Sequence, residues 1–285
     1  MEIVEKAYAK INLSLDCINK RNDGYHELKS IMLPLKFHDT INFQLLQKEI
    51  TDDFITCDSF SLKISKYNLC HKMIDVLRER FKFKDHFNIK IHKNIFLQSG
   101  LGGGSADAAA VFRCIIKHYK LNLKDEEIKE ICNEVGSDVY FQFYNKPALV
   151  SGRGDKIEFL NINETYNCLL VSPEIGNSTS EIFKEADNME LVHKDINKVK
   201  EDLLNNDLES LGKDIFNSLY EPAKKNNKEI ENIINLLKEK GFECVLMTGS
   251  GSCVFALTSN KLLIKKVEKE LYLKGYDVES SVTLK

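Results

Sequence analysis

Glycine fills four of the five positions in Gly100-Leu101-Gly102-Gly103-Gly104, where an alternating apolar stretch gives way to a helical one. Glycine reaches φ > 0 and lets an anion approach the main chain. Successive N–H groups of such a loop, with the free N–H groups of a following helix, therefore make a phosphate cradle. Ser105 comes next and can cap that helix while offering a hydroxyl to a phosphate or its metal; Asp107 falls in the expected first turn, where a carboxylate suits the helix dipole. No Gly-Lys-Ser/Thr follows, which excludes a Walker A loop, and the third glycine of the dinucleotide fingerprint would fall on Ser105. A plain flexible connection is the alternative, but so many glycines carry a backbone entropy cost that connecting alone does not require.

Other residues with chemical potential lie on simpler patterns. Lys10, Asn12 and Ser14 alternate with Ile11, Leu13 and Leu15, the period of a half-buried strand with its polar side chains on one face. On that pattern alone Lys10 reads as a solvated strand lysine. Asn22-Asp23-Gly24 signals a turn and puts Tyr25 and His26 near the tip of a hairpin. A tyrosine ring can stack on a nucleobase and an imidazole can hydrogen-bond its edge, although an exposed aromatic on a hairpin is also ordinary. Gly249-Ser250-Gly251 reads as a turn between two short strands, Asp138 as a helix cap after Gly136-Ser137, and Asn68 as an N-cap ahead of Leu69.

The elements expected to position these residues run in mixed order. His26–Leu35 returns from the hairpin turn, and a further strand, Thr40–Leu46, follows a turn at His38-Asp39. A helix covers Asn68–Phe81, with Leu69, Met73, Val76 and Leu77 on one face, and a strand containing Phe87, Ile89 and Ile91 leads to the glycine loop. The next helix presents Ala108, Val111, Phe112, Ile115, Ile116 and Tyr119; another, Asp125–Val135, stops at Gly136. Gly152-Arg153-Gly154 suggests a boundary, giving domains at 1–154 and 155–285. Beyond it come a strand at Cys168–Val171, helical stretches at Ser178–Ala186 and Asp195–Leu211, and the order helix, strand, turn, strand, helix, strand from Glu229 to Thr283. Hairpins mixed with helices argue for an α+β fold rather than a doubly wound parallel sheet.

Composition narrows the function classes. With 285 residues, 43% hydrophobic and 29% charged, the chain is of ordinary globular make-up and long enough to bury a core. A formal charge of −3 argues against a general nucleic-acid binder, and no apolar run suits a membrane span. The opening Met-Glu-Ile-Val-Glu is not a signal or transit sequence, so a cytoplasmic location is expected. The eight cysteines have neither zinc-like nor thioredoxin-like spacing and read as reduced thiols, two of them (Cys114 and Cys132) at apolar helical positions.

Taken together, Ala9-Lys-Ile-Asn-Leu13, Asp23-Gly-Tyr-His-Glu-Leu28, Gly100-Leu-Gly-Gly-Gly-Ser105, Gly136-Ser-Asp-Val139, Gly152-Arg-Gly154 and Thr248-Gly-Ser-Gly-Ser252 resemble the GHMP kinases, named for galacto-, homoserine, mevalonate and phosphomevalonate kinases. The resemblance spans nearly the whole chain. It implies a ribosomal-protein-like N-terminal domain, a ferredoxin-like C-terminal domain, ATP as co-substrate and Mg2+. It assigns the nucleotide to Asn68 and to Phe96, Leu97, Gln98, Ser99, Gly100, Leu101, Gly102, Gly103, Gly104, Ser105 and Ala106, with Ser105 a candidate metal ligand. Asp138 would be the base facing the accepting hydroxyl, and Lys10 would hold it ionised, an attraction of about 4 kcal/mol at ~4 Å and an effective dielectric near 20. Asn12, Tyr25, His26, Gly249 and Ser250 would hold the second substrate.

The Asp-Gly-Tyr-His stretch points within the family to a cytidine-diphosphate-linked polyol as that substrate, in isoprenoid precursor synthesis, with a homoserine or mevalonate kinase as the alternative. A non-catalytic nucleic-acid binder is opposed by the acidic balance and by the presence of Lys10 and Asp138. The expected partners are small molecules, without nucleic acid or membrane, and the expected state is a monomer or homodimer. The sequence departs from the family where prolines are usual, at Tyr8, Phe96 and Tyr140, and where a second serine is usual, at Ala106.

Overall fold

The N-terminal alternation becomes strand β1 (Glu2–Lys20), which a turn over 21–25 returns as β2 (His26–Leu45). In the turn Gly24 takes φ 84°, and Asp23 Oδ1 accepts from the Tyr25 N–H. Strand β3 (Phe54–Cys57), helix α1 (Leu69–Phe81), strand β4 (Phe87–His92) and helices α2 (Gly103–Tyr119), α3 (Asp125–Val135) and α4 (Val139–Tyr144) follow. Next come β5 (Ala148–Gly152), β6 (Lys156–Phe159), β7 (Asn167–Ser172), α5 (Thr179–Ala186), α6 (Ile196–Leu204), α7 (Leu208–Asp214) and α8 (Tyr220–Asn226). The chain ends with α9 (Glu229–Glu239), β8 (Cys244–Met247), β9 (Val254–Thr258), α10 (Lys261–Leu273) and β10 (Asp277–Val282). This computed structural model describes residues 2–59, 65 and 68–285.

The Cα positions divide the chain into two compact units, each assembled from separate stretches. One takes the chain up to Ala9, His38–Ile95 and Gly102–Asn145; the other takes Lys10–Phe37, Phe96–Leu101 and Lys146–Lys285. In the first, β4 pairs antiparallel with Thr40–Leu45 of β2 and parallel with β3. Helix α2 packs on α1 and α4, and α3 on the same two. Phe43, Met73, Phe87 and Phe112 are fully buried there, each contributing roughly 1.5–3 kcal/mol. In the second unit an antiparallel sheet runs in the order β10-β7-β9-β8, and Leu28–Met32 of β2 pairs with β5. Its core joins Leu169, Val171, Val254 and Ala256 to Ile182, Ile230, Ile233 and Val267 of the helices.

Several sequence expectations change. Strand β2 passes unbroken through His38-Asp39, because the Asp39 carboxylate does not make a local turn. It accepts instead from the N–H groups of Asn94 and Ile95, at 2.6 and 2.8 Å. β1 is not half-buried: Lys10, Asn12 and Ser14 are as enclosed as the apolar residues between them. Gly152-Arg153-Gly154 is the turn of the antiparallel β5–β6 pair, with Gly152 and Gly154 at φ 74° and 108°. Helix α3 does end at Gly136, but at φ −177°, extended backbone open to any residue. Within Asp195–Leu211 the helix breaks at Asn206 (φ 57°) and restarts under the Asp207 cap. All eight cysteines are free and all but Cys57 are buried.

Candidate active site

Lys10 is only 3% exposed, which removes the solvated reading. A buried ammonium must be paired or hydrogen-bonded. Its Nζ donates to Asn12 Oδ1 at 2.5 Å and to the Gly100 carbonyl at 2.8 Å, so the strand lysine and the glycine loop meet directly. Asn12 Nδ2 donates to Ser30 Oγ on β2, and Ser30 Oγ donates to the Ser14 carbonyl, at 2.8 and 2.7 Å. The Asn12 N–H donates to Thr248 Oγ1 at 2.8 Å.

The Thr248–Ser252 turn is a hairpin turn, as its pattern suggests, and it also packs closely against Gly100. Gly100 sits at φ 79°, and a Cβ there would lie 2.2 Å from the Thr248 carbonyl oxygen. Gly249, at φ 57°, would bring a Cβ to 3.0 Å from the Gly100 oxygen. A third segment closes in at Gly176, where a Cβ would lie 2.8 Å from the Gln98 carbonyl oxygen, and the Asn177 N–H donates to that oxygen at 3.1 Å. Asn217 Nδ2 holds the turn from behind through Met247 O and Gly249 O, at 2.9 and 2.8 Å. The Ser250 hydroxyl bonds Thr179 Oγ1 at 2.9 Å, and the Cys253 N–H donates to Ser99 O at 3.0 Å.

Gly100→Ala is therefore expected to destabilise the protein by roughly 2–5 kcal/mol, from left-handed strain of about 1–2 and overpacking of about 1–3. Gly24→Ala, at a similar φ with nothing within 4 Å of the added carbon, carries the strain alone. Urea unfolding of the two variants separates the terms, and equal losses would mean the Thr248 approach is soft.

The rest of the loop belongs to helix α2. Gly102 is its N-cap at φ 73°, so the left-handed positions are Gly100 and Gly102, while Gly103 and Gly104 are already helical. Ser105 lies in the first turn, not at the cap, with its side chain partly exposed; the Ala106 methyl is buried. Asp107 is past the first turn and serves an ion cluster rather than the helix dipole. Lys93 Nζ contacts Asp39 Oδ2 at 2.6 Å and Asp107 Oδ2 at 2.7 Å, with all three side chains nearly inaccessible. Burial raises the Asp107 carboxyl to about 7 against the pull of Lys93, and its Oδ1 has no partner. A Cβ on Gly103 would stand 3.0 Å from Lys93 Nζ, so the cluster directly underlies the helix start.

Asn68 is the N-cap of α1, its Oδ1 accepting from the Cys70 N–H at 2.8 Å. Asp138 occupies the N-cap position of α4 at φ −88°, ψ −7°, yet its half-buried carboxylate makes no capping hydrogen bond. Phe96 packs on Phe37, with ring centroids 5.5 Å apart; Leu101 is buried, and Leu97 is partly buried. Gln98 is exposed at φ 50°. At the hairpin tip Tyr25 is 49% exposed, and the Arg153 guanidinium lies 5.2 Å over its ring. His26 stacks on Phe183 at 4.8 Å and reaches Asp187 at 2.7 Å, beside a cavity of about 490 Å³ that Cys17, Lys20 and His193 also line.

Sequence reasoning put none of Thr248, Asn177, Asn217, Lys93 and Asp39 among the site residues, and gave Asp39 only a turn. Each acts through a partner far away in the chain, and no local pattern announces such a pairing. Among the described residues no group of three or more His, Cys, Asp or Glu could hold a metal ion, and no helix is long and apolar enough to cross a membrane.

Comparison with known proteins gives the family. The family model for the GHMP kinases N terminal domain matches residues 68–146, and that for the GHMP kinases C terminal matches 199–277. A 4-diphosphocytidyl-2-C-methyl-D-erythritol kinase of Caldanaerobacter subterraneus subsp. tengcongensis is 39% identical over 260 residues, covering 90% of this chain and 88% of its own length. One of Bacillus cytotoxicus is 34% identical over 278 residues, covering 97% and 94%. A crystal structure of 4-(cytidine 5'-diphospho)-2C-methyl-D-erythritol kinase shares the fold with TM-score 0.81 at 22% identity, covering 99% of each chain. A homoserine kinase from Cytophaga hutchinsonii shares it with TM-score 0.74 at 17% identity, covering 99% of this chain and 94% of its own. By sequence along nearly its whole length, and by fold, the chain belongs to the GHMP kinase family.

Proposed function

We propose that this chain transfers the γ-phosphoryl group of ATP to the 2-hydroxyl of 4-diphosphocytidyl-2-C-methyl-D-erythritol, in non-mevalonate isoprenoid precursor synthesis. The observation that carries the reading is the identity of 33–39% to kinases of that name across most of the chain. Homoserine and mevalonate kinases share only the fold, at 15–18% identity. The enzyme would work in the cytoplasm as a monomer or homodimer, without nucleic acid or membrane partners.

Phosphoryl transfer asks mainly for positioning and charge neutralisation. The first N–H groups of α2 lack intrahelical acceptors, as at any helix start, and follow a loop that Gly100 and Gly102 bend, which suits the nucleotide phosphates. Lys10, immobilised by Asn12 and the Gly100 carbonyl, supplies fixed positive charge. In a loose transition state the hydroxyl proton leaves late, so a carboxylate, here Asp138, suffices to accept it. Magnesium, which usually keeps several waters and few protein ligands, would neutralise phosphate charge, with the accessible Ser105 hydroxyl as the ligand this chain offers. Asn68 would meet adenine through its Nδ2 amino group, since Oδ1 is engaged in the cap. Asn12, Gly249 and Ser250 would line the acceptor side, with Tyr25 and His26 on the cytosine.

Coupled ADP release with the cytidine-diphosphate substrate, against free methylerythritol, homoserine and mevalonate, tests the assignment. Turnover of homoserine or mevalonate alone would overturn it. Tyr25→Ala is expected to raise KM for the cytidyl substrate about ten- to a hundredfold, the worth of one stacked base, while Tyr25→Phe keeps the π-face and most of the affinity. KM for ATP should stay put in both; a change in ATP affinity instead would misplace the cytidine pocket.

A further inference from the structure

From the reach of one carboxylate to both arms of the β1–β2 hairpin, we infer that Asp187 is a positioning residue for the second substrate. Resting on the cytidyl-substrate reading above, the inference assigns it the task of holding the base-binding hairpin in its working shape. Asp187 is the C-cap of α5, far from the hairpin in sequence. One oxygen, Oδ2, meets Lys20 Nζ at the last residue of β1, at 2.5 Å; the other, Oδ1, meets His26 Nε2 at the first residue of β2, at 2.7 Å. The two contacted residues flank the whole turn that carries Tyr25, so the carboxylate closes the neck of the hairpin like a staple.

A second contact from the same helix supports the placement. Phe183, one turn before Asp187, lies nearly parallel to the His26 ring, at 4.8 Å and 28°. α5 thus grips His26 from its face and from its edge, and the His26 side chain is left only 11% exposed. Because the bond to Asp187 engages Nε2, the opposite ring nitrogen and the main chain of His26 keep a fixed direction. The remaining charges at the tip are satisfied within it: Arg21 pairs with Asp23 and Glu27. The charged contact between the hairpin and α5 is through Asp187. A mobile hairpin would have to be ordered by the substrate itself, and that ordering cost appears as weaker binding.

The test compares Asp187→Ala, Asp187→Asn and Lys20→Met in steady-state kinetics and in limited proteolysis by trypsin at Lys20 and Arg21. Asp187→Ala is expected to raise KM for the cytidine-diphosphate substrate about three- to tenfold, with kcat and KM for ATP unchanged, and to speed nicking at Arg21 by a similar factor. Asp187→Asn, which keeps an acceptor for His26 but loses the charge facing Lys20, should fall between Ala and the unsubstituted protein. Lys20→Met should resemble Asp187→Asn. Unchanged KM and unchanged nicking in Asp187→Ala would overturn the inference, as would a loss confined to kcat. Faster nicking without any change in KM would also overturn it, since the staple would then hold a segment that the substrate does not use. Failure of the unsubstituted protein to turn over the cytidyl substrate sinks the substrate reading instead, and that is seen before any variant is made.

Discussion

Asp138→Asn is expected to lower turnover by about two orders of magnitude or more while ATP binding stays near that of the unsubstituted protein. Asparagine matches aspartate in size but cannot accept the hydroxyl proton as the new phosphate bond forms. A helix-capping role is not at stake. The carboxylate does not cap α4, and the main-chain bond from Gln142 N–H to Asp138 O is indifferent to the side chain. Coupled ADP release measures kcat, and calorimetric titration with ATP measures the nucleotide affinity. Near-normal turnover would remove Asp138 from the chemistry; lost ATP affinity would reassign it to the nucleotide.

The second large effect is on stability. Lys93→Met is expected to cost about 3–5 kcal/mol, because it leaves the Asp39 and Asp107 carboxylates buried without their cation. That is a large share of the ~5–15 kcal/mol that holds a typical domain folded. Urea unfolding should show a lower midpoint with an unchanged slope. Asp107→Asn should cost far less, since Oδ2 keeps an equivalent acceptor for Lys93 and Oδ1 has no partner to lose. It should also change the pH profile. The Asp107 carboxyl is raised from its ordinary 3.8 to about 7 by burial, so its contribution to stability is complete below about 4 and is lost as pH rises through about 7. The asparagine variant cannot ionise there, and its stability should fall less across that interval. A Lys93→Met protein as stable as the original would show that water reaches the cluster.

How far the sequence could be read depended on the range of each interaction. The alternation of β4, the apolar stripe of α2, the hairpin turn at Gly24 and the cap at Asn68 are local, and each stands where its pattern put it. The α+β class followed from their order. Ser105 and Asp107 went astray by a single turn: the helix begins at Gly103, because Gly102 in left-handed geometry can cap without a side chain. The expected break at His38-Asp39 failed because Asp39 bonds to main chain near Ile95, a partner that no window of neighbouring residues contains. Lys10 was legible as polar and alternating but not as buried. Its burial depends on Gly100 and Asn12, and the neighbouring Asn12 on Thr248, which lies at the other end of the sequence. Family resemblance supplied what periodicity could not, since a motif carries the memory of contacts that a pattern does not encode.

Main-chain atoms meet closely around Lys10 and the loop beside it: the carbonyls of Gly100, Thr248 and Gln98, and the N–H groups of Asn12 and Asn177. A corner built of peptide groups is inherited differently from one built of side chains. Side chains around the glycines can change without altering its outline, whereas one added carbon at Gly100 or Gly176 would run into a main-chain carbonyl oxygen. Divergent relatives should therefore keep the shape of this corner longer than they keep its composition. Randomising Leu97 in a selection for activity should return a broad range of survivors, while randomising Gly100 and Gly176 should return almost only glycine.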